Sequence, residues 1–162
     1  MRRIESQADQ WPRRVAVPQH PDRQWLDKLM QHIEDNGWAG MTIKENPGDG
    51  PSSGYMVSLK GMEDSFPLDD LSGQKLKEYI QKHHPDINAD PETYFGGWQE
   101  GNRWYNDVSQ RHDHDRGLWP AATDAYRNDQ LALYDIDNDR AIDTEEAGWM
   151  TGAPWITGGR HD

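Results

Sequence analysis

Aromatic and polar residues alternate on either side of a short turn between residues 92 and 109. Strand-forming side chains surround the turn Glu100-Gly101-Asn102, with Tyr94, Phe95 and Trp98 before it and Trp104, Tyr105 and Val108 after it. Two such runs joined by a short Gly/Asn turn are typical of a β-hairpin. We therefore expect residues 93–99 and 103–109 to pair as antiparallel strands, with the other elements assembled around them.

Three other segments have apolar residues at helical spacing, which predicts helices over residues 22–36, 71–83 and 121–128. Capping side chains and prolines mark where these helices should begin and end. The expected boundary residues are Asp22 for the first helix, Asp69 or Asp70 and Pro85 for the second, and Pro120 for the third.

Shorter runs of strand-forming residues predict further strands over residues 38–44, 55–59, 131–136 and 141–143. Strands and helices mixed in this order indicate a single α+β domain, with about three helices packed on an antiparallel sheet. We assign the domain to residues 20–145, an N-terminal arm to residues 1–19 and a C-terminal tail to residues 146–162. The expected core residues are Trp25, Leu76, Tyr94, Trp98, Trp104 and Leu133.

The distribution of charge along the chain indicates which kinds of partner the protein could bind. The chain of 162 residues has a net charge of −12 and no cysteine, which excludes disulfides and thiolate chemistry. Between Asp86 and Glu146 there are fifteen acidic residues and five arginines, a balance of −10. Such a surface repels phosphates, so we expect neither direct nucleic-acid binding nor membrane binding, and we expect a basic protein surface as partner. The candidate contact residues are Asp107, Asp113, Asp115, Asp124 and Asp129.

Residues 135–146 resemble the calcium loop of EF-hand proteins, in which alternate oxygens surround the ion. The candidate ligands are Asp135, Asp137, Asp139, Asp143 and Glu146. Against this assignment, Arg140 stands where the loop needs glycine, and there is no second EF-hand. The alternative is a β-hairpin with strands over residues 131–136 and 141–143. We expect no cofactor unless this loop binds calcium.

A second candidate site is the alternation of histidine and aspartate in His112-Asp113-His114-Asp115. Imidazole and carboxylate groups are ligands that transition metals use in proteins, and a metal-dependent hydrolase that uses His112 and His114 is one hypothesis. A solvated polar loop is the other. No serine lies in a nucleophile motif, so we assign no catalytic residue and expect a protein without enzymatic activity.

The run from Gly54 to Thr144 resembles a small domain encoded by actinobacteria, their phages and mobile elements. The matching segments are Gly54-Tyr-Met-Val-Ser58, Gly96-Gly97-Trp98, Tyr105-Asn-Asp-Val-Ser109, Ala122, Ala125, Asp129-Gln130-Leu-Ala132-Leu-Tyr134-Asp135-Ile136 and Ile142-Asp-Thr144. The chain departs from the pattern at Asp129, where asparagine is usual. The resemblance implies a compact α+β domain without an established activity, and it favours the hairpin over the calcium loop.

Together, the acidic surface and the resemblance favour a non-enzymatic protein-binding module. An inhibitor that docks on the nucleic-acid groove of a host enzyme would have this charge, and so would a virion-associated protein. We therefore expect the protein in the cytoplasm of a host cell or in a virion. The identity of the partner and the oligomeric state stay open at this point.

Overall fold

The computed structural model describes residues 16–36 and 40–152, which form seven strands and four α-helices. The strands are β1 (Met41–Ile43), β2 (Tyr55–Ser58), β3 (Asp64–Pro67), β4 (Thr93–Glu100), β5 (Arg103–His112), β6 (Ala132–Asp135) and β7 (Arg140–Asp143). The helices are α1 (Arg23–Asp35), α2 (Gly73–Ile87), α3 (Leu118–Arg127) and α4 (Thr144–Thr151). The prediction of an α+β domain on an antiparallel sheet is confirmed.

The hairpin of β4 and β5 lies inside the sheet, which has the strand order β1-β4-β5-β2-β6-β7. Strand β5 is the longest, and β4 pairs with it along its length, with Trp98 opposite Tyr105. On the other edge of β5, β3 pairs with the first half and β2 with the second half. The predicted hairpin is therefore confirmed, and all the strand pairs are antiparallel.

Both hydrophobic clusters lie on the same face of the sheet. Side chains paired across strands share a face, and Ile43, Phe95 and Val108 form one such row in the cluster that contacts α1 and α2. Val57 pairs with Gln110, two residues beyond Val108, so it lies on that face too. It belongs to the second cluster, with α3 and α4. The described helices thus cover one face of the sheet.

The predicted core residues divide between the two faces. Trp104, Leu76 and Leu133 are buried, as expected. Tyr94 and Trp98 are only half-buried, because strand alternation directs Phe95 and not its neighbour into the helix-covered face. Trp25 is also half-buried, and its Nε1 donates a hydrogen bond to the Glu45 carbonyl oxygen at 2.9 Å. Assigning Tyr94 and Trp98 to the core was wrong, whereas Trp25 packs against the edge of the first hydrophobic cluster.

The two adjacent glycines of β4 allow close approaches on opposite faces. A Cβ atom on Gly97 would lie 2.5 Å from Cζ2 of Trp104, whose side chain is buried on the helix-covered face. A Cβ atom on Gly96 would collide with the carboxylate of Asp107 on the other face. The Gly-Gly pair is therefore needed to accommodate one large and one charged side chain of β5.

Helix boundaries differ from the prediction mainly in α2. Ser72 is its N-cap and accepts a hydrogen bond from the Lys75 N–H at 3.2 Å, whereas Asp69 and Asp70 lie in a preceding 3-10 turn. Pro85 lies just after the point where the first helical part of α2 ends, as predicted, and a second short part follows it. The backbone is non-helical at His83, and this kink accommodates the proline while the helix continues to Ile87.

Two elements were not predicted, namely β3 and α4. Strand β3 has one buried apolar residue, Phe66, and ends in a proline, so its sequence carries little alternation. Helix α4 begins at Thr144 and its first turn contains Glu145 and Glu146, so residues 146–151 of the predicted tail are helical. The first part of the predicted strand 38–44, most of the N-terminal arm and residues 153–162 lie outside the described residues.

A buried lysine connects the end of α2 to the sheet. Lys44 follows β1 and is 3% exposed, and its Nζ donates to the carbonyl oxygens of Ile87 at 2.7 Å, Asp90 at 3.0 Å and Thr93. An ammonium group at a helix C-terminus is favoured by the helix dipole.

Among the described helices, none combines the length and hydrophobicity that a bilayer crossing requires.

Candidate functional site

The loop that resembles an EF-hand is folded as a β-hairpin. Strands β6 and β7 pair with Asp135 opposite Arg140 and Ala132 opposite Asp143, so a strand stands where an EF-hand has its entering helix. Arg140 occupies the first position of β7, and the turn is made by Asp139, whose φ of 49° lies in the left-handed region. The helix–loop–helix geometry is therefore absent from residues 132–151, and the hairpin alternative is confirmed.

The five candidate calcium ligands are divided between the two ends of this hairpin. Asp135 and Asp137 lie near the turn, where they come close to His114. Asp143 and Glu146 line a cleft at the other end, beside α4. Asp139 accepts a hydrogen bond from the hydroxyl of Tyr134. The five carboxylates therefore do not surround one ion, as the sequence spacing predicts that they should. Calcium binding by any of them stays a prediction.

The two candidate metal-binding histidines also have different surroundings. His112 is the last residue of β5, and its Nε2 lies 2.8 Å from Oδ2 of Asp124 on α3. Asp124 in addition accepts from Nδ2 of Asn128 at 2.9 Å. The contact between His112 and Asp124 holds α3 against the end of β5. His114 lies two residues further on, in a 3-10 turn, and stacks on the ring of Tyr55.

The predicted contact residues differ in how far a partner could reach them. Asp113 and Asp115 are exposed, and Asp124 is half-buried beside His112. Asp129 is exposed and forms an ion pair of 2.5 Å with Lys60. Asp107 is only 3% exposed, so in this conformation its carboxylate offers no surface to a partner.

Four of the six exposed large hydrophobic side chains of the described residues line an open cleft of about 770 Å³ between the end of α3 and α4. Leu131 is 91% exposed, Trp149 and Met150 are each 59% exposed, and Tyr126 is 40% exposed. Burying side chains of this size would release about 25 cal/mol for each Å² of apolar surface removed from water. Exposed aromatic and aliphatic groups gathered in one concave surface typically mark a contact site.

Local hydrogen bonds hold Leu131 in this outward position. The backbone at Asp129 has φ 56°, a left-handed conformation that aspartate and asparagine tolerate better than most residues. The Gln130 N–H then bonds the Ala125 carbonyl oxygen at 2.9 Å, and Thr144 bonds the carbonyls of Leu131 and Gln130 at 2.9 and 2.6 Å. The segment between α3 and β6 is therefore fixed at both ends.

Four carboxylates surround the apolar surface of the cleft. They belong to Asp129, Asp143, Glu145 and Glu146. Asp143 and the two glutamates are exposed at the edge of the cleft. An apolar floor with an anionic rim is complementary to a cationic segment that carries apolar side chains.

Sequence reasoning identified Asp129, Asp143 and Glu146 but assigned them to different sites, and it missed the apolar half of the cleft. Leu131 was expected to begin a strand and Trp149 to belong to the tail. The signal that could have located the cleft is Thr144-Glu145-Glu146, because a threonine followed by two glutamates is typical of a helix N-terminus.

The chain matches no family model, no curated protein and no solved structure.

Proposed function

We propose that this chain is a non-enzymatic protein-binding module, and that its partner is a basic segment with apolar anchors that docks in the cleft between α3 and α4. The observation that supports this most strongly is the combination of Leu131, Trp149 and Met150 exposed on one surface with four carboxylates around them. Tryptophan and tyrosine are the residues most enriched among the energetic centres of protein interfaces.

The charge around the cleft favours a basic partner over a second copy of this chain. The isologous contact of two such clefts would bring eight carboxylates together, and like charges at an interface cost several kcal/mol. A cationic segment instead gains attraction from the carboxylates at the rim, of which Asp129 already pairs with Lys60. It is also steered towards the cleft during approach, since the chain as a whole carries a charge of −12.

The resemblance to the mobile-element domain extends this proposal to the class of partner. A nucleic-acid-binding groove on a host enzyme is a basic surface, and a module with this charge could occupy it in place of the nucleic acid. A basic protein of a virion is the alternative partner. Both belong to the same chemical class, a cationic protein segment.

The test is calorimetric titration with a short synthetic amphipathic peptide of leucine and lysine, at about 0.1 M and about 1 M salt. The Debye length falls from about 10 Å to about 3 Å between these conditions, so binding should weaken clearly. The same peptide with glutamate in place of lysine is the control and should not bind. Equal binding of both peptides, or binding independent of salt, would reject the electrostatic part of the proposal.

Two tryptophan variants test whether the peptide binds in the cleft. We expect Trp149→Ala to weaken binding by about tenfold or more, equivalent to at least about 1.4 kcal/mol. The matched control is Trp119→Ala, which removes a tryptophan that is 47% exposed on α3 and does not line the cleft. Equal losses in the two variants would contradict the assignment of the cleft. Self-association that Trp149→Ala abolishes would instead assign the cleft to a second copy.

A further inference from the structure

A histidine and two aspartates converge at the end of the sheet opposite the cleft. His114 comes from the 3-10 turn after β5, Asp135 is the last residue of β6, and Asp137 lies in the turn before β7. One nitrogen or oxygen atom from each residue lies within 4.8 Å of the others. Two separate segments, the 3-10 turn after β5 and the β6–β7 turn, thus bring three potential metal ligands to one point.

The spacing of the imidazole and the buried carboxylate suits an ion between them. Nε2 of His114 lies 3.8 Å from Oδ1 of Asp135, which is too far for a hydrogen bond. Two ligands at about 2.0–2.2 Å from one tetrahedral zinc ion lie roughly 3.4 Å apart, so a shift of a few tenths of an ångström would bring His114 and Asp135 to that separation. Asp135 itself is 3% exposed, which makes its carboxylate a preorganised ligand.

Neighbouring groups orient all three side chains. The ring of His114 stacks on Tyr55, with the centroids 4.8 Å apart and the planes at 23°. Oδ2 of Asp135 accepts from Nδ2 of Asn138 at 2.7 Å, and Oδ1 of Asp137 accepts from the Gly54 N–H at 2.7 Å. Partners of this kind fix ligands in known metal sites and leave further lone pairs available for the ion.

The two carboxylates form no close ion pair with a lysine or arginine of the described residues. Among the described residues, neither Asp135 nor Asp137 has a lysine or arginine nitrogen within 4.0 Å. Two carboxylates next to a low-dielectric wall are a strong attraction for a cation.

We infer that His114, Asp135 and Asp137 form a binding site for a divalent transition-metal ion, with Zn²⁺ as the best match. One imidazole nitrogen and two carboxylates make three protein ligands, and water completes a tetrahedron. Calcium takes six to eight oxygen ligands and is a poor match for this set. The site differs from both earlier hypotheses, because it combines ligands from each and includes neither His112 nor Glu146.

The experiment is a calorimetric titration of the full chain with Zn²⁺ after removal of metal by a chelator. We expect about one ion per chain, and a decrease of about 10- to 100-fold or more in affinity for His114→Ala and for Asp137→Asn. Asp115→Asn is the matched control, because it removes an exposed carboxylate one residue from His114. Asp137 is also exposed, so its variant tests the site without disturbing the core.

Two further readouts make the result decisive. Cobalt bound at the site should give a visible absorption band that His114→Ala abolishes, and a titration with Ca²⁺ should show no competition with Zn²⁺. The absence of Zn²⁺ binding would overturn the inference. So would an unchanged affinity in His114→Ala and Asp137→Asn, since the ion would then be held elsewhere on the acidic surface, and so would a preference for Ca²⁺.

Discussion

At the scale of single residues, Asp107 is the most unusual side chain of the sheet. It lies in the middle of β5, is 3% exposed and is opposite Gly96, which leaves room for the carboxylate. Its Oδ2 accepts hydrogen bonds from the hydroxyls of Ser58 and Ser109. Burial nevertheless raises its pKa from 3.8 to about 6, because two hydroxyls only partly replace the hydration of a carboxylate.

Asp107 should therefore make stability depend on pH. A carboxyl group with a raised pKa in the folded state lowers stability as pH increases between about 4 and about 6, since the unfolded state loses its proton first. We expect Asp107→Asn to be more stable than the wild type at pH 7, by up to about 3 kcal/mol for a shift of about two pKa units. Urea unfolding of both proteins at pH 4 and pH 7 measures this difference.

The control in that comparison is the low pH itself. At pH 4 the Asp107 carboxyl is protonated in the folded protein, so the two proteins should have nearly equal free energies of unfolding. An Asn variant that is less stable than the wild type at pH 7 would show that the charged carboxylate stabilises the sheet.

At the scale of elements, the sequence was most informative where apolar periodicity is strong. The β4–β5 hairpin, α1 and the β6–β7 hairpin were predicted because aromatic alternation, helical spacing and turn residues agree there. Strand β3 could not be predicted, since its one apolar residue, Phe66, gains its place only by pairing with β5. Whether the side chains of Tyr94 and Trp98 are buried depends on which face of the sheet the helices cover. The local sequence pattern does not contain that information.

The Gly-Gly pair of β4 permits a test of the packing in this hairpin. Gly97→Ala should destabilise the protein by about 1–3 kcal/mol in urea unfolding, because the added methyl group meets Trp104 at 2.5 Å and Met41 at 3.1 Å. Gly73→Ala is the control. Its Cβ atom would meet Leu26 at 3.4 Å, an ordinary contact, and alanine suits a helix, so this variant should be neutral or slightly more stable. Similar losses in both variants would contradict this packing.

At the scale of the whole molecule, one acidic surface contains two different candidate sites. The cleft lies at the open end of the β6–β7 hairpin and the group around His114 at its turn, about 10 Å apart for a strand of four residues. The sequence placed the carboxylates of both sites within one acidic stretch of the chain. It could not separate the two sites, because the hairpin register decides which carboxylates share an end.

The central claim, that a basic segment docks in the cleft between α3 and α4, is tested most directly by mapping where such a segment binds. The measurement is a titration of isotope-labelled protein with the leucine–lysine peptide, followed by the backbone amide shifts of every residue. The account predicts that the largest shifts fall at residues 129–131 and 143–150, with little change around Trp98 and Tyr105. Shifts centred on the opposite face of the sheet or on residues 112–115, with the cleft unchanged, would contradict it.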